Sequence, residues 1–199
     1  MKLLVVLDRG HGQKAAAARF DPGVTLAGVR EVELAEAYMH TALGELVARG
    51  HLVHWLESGT YDERHAEAIA YAAGRPDLEA LYVQCHVNAG GGKYGLVEHD
   101  HRSRWGRTAA AAIADALDEL PEVPKAHVWD LDPSERGWAC IDDIYASPTM
   151  AGVLFEPFFI DSTAHFPLRQ PEGLARVGVA LAEGVDRHAL AVAARRAAG

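Results

Sequence analysis

The chain has 199 residues, of which 49% are hydrophobic and 24% charged, and its formal net charge is -9. This length and composition are typical of one globular domain with a full hydrophobic core. The negative charge argues against a nucleic-acid-binding protein, which needs basic surfaces to neutralise phosphates. The two cysteines, Cys85 and Cys140, are too few to indicate a disulfide framework.

Strands and helices are predicted to alternate along the chain. Strand-forming residues at 2–8 come first, and a loop at 9–30 follows whose length is typical of loops that carry function. Apolar periodicity and Gly or Pro breaks predict the later elements. The predicted helices cover 31–49, 61–73, 104–120, 138–146 and 172–198, and the later strands cover 51–56, 78–84, 94–99, 126–131 and 150–155. This order predicts an α/β fold, a single domain with a mostly parallel central sheet of about six strands and helices on both faces.

Three side chains suited to chemistry follow predicted strands. His11 lies in Leu-Asp-Arg-Gly-His-Gly after the first strand, His86 comes after the strand at 78–84, and Glu156 comes after the strand at 150–155. Ligands of open α/β sheets bind outside the carboxyl ends of the strands. A structural salt bridge is the alternative explanation for Glu156, and a purely structural histidine is the alternative for His11.

A fourth candidate, Glu31, opens the helix after the long loop. It lies at the edge of the buried stripe, whereas Glu33, Glu36 and His40 share a polar face that is typical of solvated surface. A favourable charge at the helix amino terminus is the alternative explanation for Glu31. Two histidines, one carboxylate and a further glutamate are the groups of a hydrolytic zinc site, with three protein ligands, an open position and a base.

Two competing sites are conceivable. A cysteine hydrolase using Cys85 with His86 as its base is disfavoured, because neighbouring residues of a strand point to opposite faces. Cys85 is instead expected to be a small buried side chain. His99 and His101 share one side of a strand and have a spacing that can chelate a metal, although a solvated polar edge is the simpler explanation for them.

Four segments, taken together and in this order, carry a family resemblance. They are Asp8-Arg9-Gly10-His11-Gly12, Glu31 opening a helix that ends at Gly50, Cys85-His86-Val87-Asn88-Ala89, and Leu154-Phe155-Glu156-Pro157-Phe158-Phe159. The chain resembles the zinc-dependent N-acetylmuramoyl-L-alanine amidases of the amidase-3 type, from residue 3 to about residue 185.

The resemblance implies one zinc ion per chain, held by His11, Glu31 and His86, with Glu156 as the catalytic glutamate. It implies that the substrate is peptidoglycan, cleaved at the amide between the lactyl group of N-acetylmuramic acid and L-alanine of the stem peptide. Zinc would activate water and polarise the carbonyl, while Glu156 would accept the proton of the water and deliver it to the leaving nitrogen. Three further residues are expected to contact the substrate: Asn88, Arg64 and Trp138.

The chain is expected to divide into a catalytic domain at 1–185 and a weakly basic helix end at 186–199. Among its alanines the tail carries Arg187, Arg195 and Arg196. The tail either makes a weak contact with an anionic bacterial envelope or complements the carboxyl end of the last helix.

The opening apolar run is too short for a secretory signal, and no segment approaches the ~18 apolar residues of a membrane span. We therefore expect a monomer that is made in the cytoplasm and acts on the cell wall after release, as a phage or prophage endolysin does. The alternatives are a zinc peptidase or amidase acting on another small amide, and a catalytically silent wall-binding module.

Overall fold

Strands and helices alternate along nearly the whole chain. The computed structural model describes residues 1–13 and 20–198. The strands in this described part are β1 Leu4–Gln13, β2 Phe20–Asp21, β3 Thr25–Leu26, β4 Val29–Arg30, β5 Leu52–Ser58, β6 Ala80–Cys85, β7 Gly95–Asp100, β8 Ala126–Leu131 and β9 Met150–Glu156. The helices are α1 Glu31–Ala48, α2 Tyr61–Ala73, α3 Arg104–Leu117 and α4 Pro171–Ala198.

The main sheet has its six long strands in the order β5-β1-β6-β9-β7-β8, and β2 adds a short seventh strand beside the end of β1. The pairs β5–β1, β1–β6, β6–β9 and β7–β8 are parallel, whereas β7 runs antiparallel to β9. The predicted α/β class with a mostly parallel sheet is therefore confirmed.

Both faces of the sheet are covered, because successive side chains of β1 enter different cores. Val5 and Leu7 pack into the larger core, which is formed with α1, α3 and α4. Leu4 and Val6 pack into a smaller core with α2 and the segment around Ile144. Burial on both faces is typical of parallel strands and explains why their sequences read as continuous apolar runs.

The first strand is longer than predicted, since β1 continues to Gln13 and contains His11. The extension pairs with β2, where Gly12 faces Asp21, and its register against β5 shifts between Asp8 and Gln13. Gly12 has a φ of +125°, a conformation that glycine adopts without strain and that lets the strand bulge here. The prediction of a loop at 9–30 was therefore wrong for residues 9–13 and for the three two-residue strands β2, β3 and β4, and its residues 14–19 lie outside the described part.

The segment predicted as a helix at 138–146 forms two short 3₁₀ helices, Trp138–Cys140 and Asp143–Ala146. The carboxylate of Asp142 accepts a hydrogen bond from the backbone N–H of Asp143. Local bonds of this kind compete with a continuous α-helix. Residues at the start of this segment form one wall of the cavity described below.

Residues 186–198 of the predicted basic helix end form the last turns of α4, which continues through residue 185 to Ala198. Ala189 and Val192 are buried, and Arg195 forms an ion pair with Glu79. The predicted tail therefore packs as a continuous part of the domain. In the described part of the chain, no helix combines the length and apolar character that a membrane crossing requires.

Candidate metal centre and catalytic cavity

The carboxyl ends of three neighbouring strands bring the predicted residues together. In β1 and β6, Arg9 lies beside Cys85, and in β6 and β9, Cys85 lies beside Phe155. His11, His86 and Glu156 each follow these positions by one or two residues. All three line one cavity of about 750 Å³, together with Glu31 from the start of α1.

Two imidazoles and one carboxylate converge in this cavity. Glu31 Oε1 lies 3.2 Å from His11 Nε2 and 3.0 Å from His86 Nδ1. One donor atom from each of the three residues fits within a 4.8 Å spread. Two nitrogens and one carboxylate oxygen are a donor set that catalytic zinc sites use, and they leave a coordination position open. The donor chemistry of His11, Glu31 and His86 therefore fits zinc.

Hydrogen bonds hold two of these ligands in place. Asp21 Oδ2 lies 3.0 Å from His11 Nδ1 and accepts a hydrogen bond from it, which directs Nε2 towards Glu31 at the centre. The backbone N–H groups of Val24 and Val87 donate to the two oxygens of Glu31. Such outer contacts orient metal ligands and fix the tautomer of a histidine. Nothing in the sequence pattern indicates this role for Asp21.

The Glu31 carboxylate is held in its charged form. Burial acts to raise its pKa, but hydrogen bonds from His11 and His86 outweigh burial and lower the pKa well below its usual range. Burial lowers the pKa of His86 and is only partly offset by Glu31. A charged carboxylate and a neutral imidazole are the forms that bind a metal.

Gly10 gives His86 the space it occupies. A Cβ atom at Gly10 would lie 1.9 Å from His86 Nε2, so the ring would have to move. Gly23 likewise leaves space for Glu31, because a Cβ atom added at Gly23 would lie 2.5 Å from Glu31 Oε2. The glycines of the first motif and of the loop before α1 thus permit close approach of the ligands.

We expect the Gly10→Ala variant to bind zinc about tenfold or more weakly, since the methyl group displaces the His86 imidazole. Competition with a chromophoric chelator measures this affinity. Gly44→Ala is the matched control, because Gly44 lies in α1 with open space around it, and it should leave zinc affinity unchanged. Equal zinc affinity in Gly10→Ala and the wild type would contradict the described packing.

Glu156 lies in the same cavity and is accompanied by Asn88. The Asn88 side-chain amide donates a hydrogen bond to Glu156 Oε2. Burial, followed by the negative charge of Glu31, raises the pKa of Glu156 to about 7. A carboxyl group with a pKa near neutrality can both accept and return a proton.

A second buried glutamate, Glu98, lies in the same wall and was not among the predicted residues. Glu98 faces Leu154 across the antiparallel pair β7–β9, and Leu96 faces Glu156, so the two carboxyl groups are diagonal neighbours on one face of the sheet. All four side chains line the cavity. Burial, followed by the charges of Glu156 and Glu135, raises the pKa of Glu98 to about 8. A glutamate directly after the apolar pair Leu96-Val97 is the sequence signal that could have revealed it.

Glu98 should make stability depend on pH. Its pKa is higher in the folded chain than in the unfolded chain, so its stabilising contribution is complete below about pH 4 and is lost as pH rises through about 8. We expect Glu98→Gln to be more stable than the wild type by about 5 kcal/mol at about pH 9 and by only about 1 kcal/mol at about pH 5. Urea unfolding with a chelator present measures the difference, and a difference that stays constant with pH would contradict it.

Arg64 does not line the cavity. Its buried guanidinium donates to Asp8 Oδ1 at 2.6 Å, to the Arg9 carbonyl at 2.6 Å and to the Gly10 carbonyl at 3.1 Å. It therefore fixes the backbone at the carboxyl end of β1 without lining the cavity. The predicted direct contact of Arg64 with the substrate is replaced by this structural role.

Trp138 also lies outside the cavity lining. Its ring packs against His101 and against the guanidinium of Arg102, at a distance of 4.8 Å from the guanidinium carbon to the ring centre. The neighbouring residues Gly137 and Ala139 line the cavity instead. Of the three predicted substrate contacts, Asn88 alone lines it.

The competing sites are not formed. His99 is fully buried and contacts Asp130 at 2.8 Å, whereas His101 lies beyond the end of β7 and contacts the Leu131 carbonyl. Cys85 is part of the main core, and burial raises the pKa of its thiol. Cys140 is also a buried free thiol, and burial raises its pKa to about 12.

The fold resembles solved structures of cell-wall amidases. The CwlD amidase from Clostridioides difficile, in complex with the GerS lipoprotein, has a TM-score of 0.71 and 16% identity, and the match covers 96% of this chain and 100% of that chain. N-acetylmuramoyl-L-alanine amidase AmiC2 of Nostoc punctiforme has a TM-score of 0.70 and 17% identity, with coverage of 96% and 98%. The catalytic domain of the CD27L endolysin targeting Clostridia Difficile has a TM-score of 0.60 and 19% identity, with coverage of 90% and 96%.

No protein-family model and no curated protein matches the sequence. At these identities the structural similarity establishes the fold. The chemistry of the site has to be argued from the residues of this chain.

Proposed function

We propose that this protein is a zinc-dependent N-acetylmuramoyl-L-alanine amidase. It hydrolyses the amide bond between N-acetylmuramic acid and L-alanine of the peptidoglycan stem peptide. The observation that carries the proposal is the convergence of His11, Glu31 and His86 beside Glu156, in a cavity large enough for part of a muropeptide. The similarity of the whole fold to peptidoglycan amidases supports the substrate class.

His11, Glu31 and His86 would hold one zinc ion. When bound, zinc supplies a Lewis acid that polarises a carbonyl oxygen and lowers the pKa of water. Asp21 keeps His11 in the tautomer that presents Nε2, and two backbone N–H groups keep the Glu31 oxygens directed into the cavity.

Glu156 would move the proton. Asn88 donates to Oε2 of Glu156, which leaves Oε1 to take a proton from the attacking water. Because burial raises the pKa of this carboxyl to about 7, the proton is held loosely enough to pass to the leaving nitrogen. Glu98 adds a second carboxyl group to the same wall and can hydrogen-bond to a polar group of the bound substrate.

The proposal is tested by digesting purified peptidoglycan with the zinc-loaded protein. We expect stem peptides with new amino termini of L-alanine, and glycan chains whose N-acetylmuramic acid carries a free lactyl carboxylate. Mass spectrometry of the products identifies the cleaved bond. The absence of new L-alanine amino termini after digestion with the zinc-loaded protein would contradict the proposal.

Assays with free stem peptides, intact muropeptides and insoluble peptidoglycan separate the alternatives. A zinc peptidase acting on another small amide would cleave free stem peptides as well as intact muropeptides, whereas the proposed amidase requires the muramoyl group. A silent wall-binding module would sediment with insoluble peptidoglycan without cleaving it. Neither result is compatible with the proposed activity.

The biological setting is a separate proposal. The similarity to an endolysin catalytic domain supports a phage or prophage lysin that is stored in the cytoplasm and acts on the wall after release. The monomeric state and a weak contact of residues 186–199 with the envelope stay predictions. Gel filtration and sedimentation with anionic vesicles test them.

A further inference from the structure

A second cavity lies at the opposite end of the strands from the metal centre. Its volume is about 520 Å³, and it shares no lining residue with the first cavity. It opens where β6 and β9 begin, and its walls come from the start of α3 and the last turns of α4. Cavities of this size are typical of small-molecule sites.

The amino terminus of α3 forms part of the wall. Ser103 caps the helix by accepting a hydrogen bond from the N–H of Gly106. Within the described residues, the N–H groups of Arg104 and Trp105 have no acceptor, although both residues line the cavity. The first turn contains no acidic residue, and Arg104 adds a positive charge at the positive end of the helix dipole. An anion bound at this point would accept hydrogen bonds from the two N–H groups and would balance the positive charge of Arg104 and the helix end.

Arginines dominate the charge of the cavity. Arg102, Arg104 and Arg195 line it, against one carboxylate, Glu79. Arg102 is paired with Asp100, and Arg195 is paired with Glu79. Arg104 has no carboxylate partner in the described part of the chain. A protein with a net charge of -9 thus keeps one unpaired guanidinium directly beside a helix amino terminus.

A buried histidine completes the lining. His188 is only 3% exposed, and its Nδ1 atom has no hydrogen-bond partner among the described residues. Burial lowers its pKa to about 4, so the imidazole is neutral near physiological pH and carries one N–H. Buried polar groups of proteins are normally hydrogen-bonded, so His188 is available to pair with a polar group that enters the cavity.

We propose that this cavity binds a phosphate group of a small molecule or lipid headgroup, between the amino terminus of α3, Arg104 and His188. A helix end, a guanidinium and an imidazole that line one cavity suit an anion with several acceptor oxygens. Phosphate supplies them, and both helix amino termini and arginine bind it well. The site is independent of the proposed hydrolysis and lies at the other end of the sheet from it.

The test is calorimetric titration of the zinc-loaded protein with inorganic phosphate at constant ionic strength. We expect one phosphate per chain, and binding about tenfold weaker in Arg104→Gln. The control is Arg107→Gln, which removes an exposed arginine of the same helix that pairs with Asp130 outside the cavity. It should leave phosphate affinity unchanged, and both variants should keep the activity of the wild type.

A phosphate bound to zinc is a competing explanation, and His11→Ala separates it. The proposed site survives in His11→Ala, and amide NMR signals of Arg104 and Trp105 shift on titration. Binding that disappears in His11→Ala, or that is equal in Arg104→Gln and the wild type, would overturn the proposal, as would the absence of binding. Glycerol 3-phosphate and vesicles containing phosphatidylglycerol then identify the source: competition by the soluble ester alone indicates a metabolite, and competition by the vesicles indicates a headgroup.

Discussion

A Glu156→Gln variant is expected to lose about 10³-fold in turnover while keeping its zinc. Glutamine has nearly the shape of glutamate and preserves a polar contact with Asn88, but its amide cannot accept the proton of the attacking water. The three residues that would hold zinc are untouched by this change. The loss should therefore appear in kcat, with metal content unchanged.

The measurement pairs product release from peptidoglycan with zinc analysis of the same preparation. Glu119→Gln is a suitable control, since Glu119 is exposed and contacts Arg187 outside the cavity, and it should keep full activity. Loss of stoichiometric zinc in Glu156→Gln would make Glu156 a ligand and contradict its assigned role. Near-normal turnover with zinc retained would exclude Glu156 as the base.

The second large effect is expected in stability, at Arg64. Replacing Arg64 with leucine leaves the Asp8 carboxylate buried without its cation and leaves the carbonyls of Arg9 and Gly10 without their donor. Removing one partner of a buried ion pair typically costs about 3–5 kcal/mol. We expect the free energy of unfolding to fall by about this amount, as measured by urea denaturation.

The Asp8 environment explains why the loss is large. Asp8 Oδ2 also accepts hydrogen bonds from the Tyr82 hydroxyl and from Gln84, so the carboxylate cannot turn towards solvent. Arg107→Leu, which breaks an exposed ion pair, should cost less than about 1 kcal/mol. Equal losses in Arg64→Leu and Arg107→Leu would show that the buried network contributes little.

The class of fold and the four residues that converge in the cavity could be predicted from sequence. Apolar runs followed by His11, His86 and Glu156 identify strand ends, and parallel strand ends meet at one edge of a sheet. Glu31 lies at the edge of the apolar stripe of α1, which predicts that its side chain points inward. In the structure Glu31 is 3% exposed. These predictions depend on periodicity, which is a local property of the chain.

The remaining features depend on contacts between distant residues. Asp21 becomes important only because β2 returns beside β1, and no local pattern marks that pairing. Arg64 could be assigned to a helix, but its direction towards Asp8 is set by the packing of α2 on the sheet. The extension of β1 to Gln13 likewise depends on a partner strand. The role of Asp21, the direction of Arg64 and the length of β1 are therefore set by tertiary contacts and could not be predicted from local sequence patterns.

Both thiols are buried, and neither forms a cross-link. The covalent structure is consequently the same under reducing and oxidising conditions, and non-covalent contacts hold the protein chain in its fold. Activity should therefore be indifferent to glutathione or to air, because folding of this chain requires no thiol chemistry.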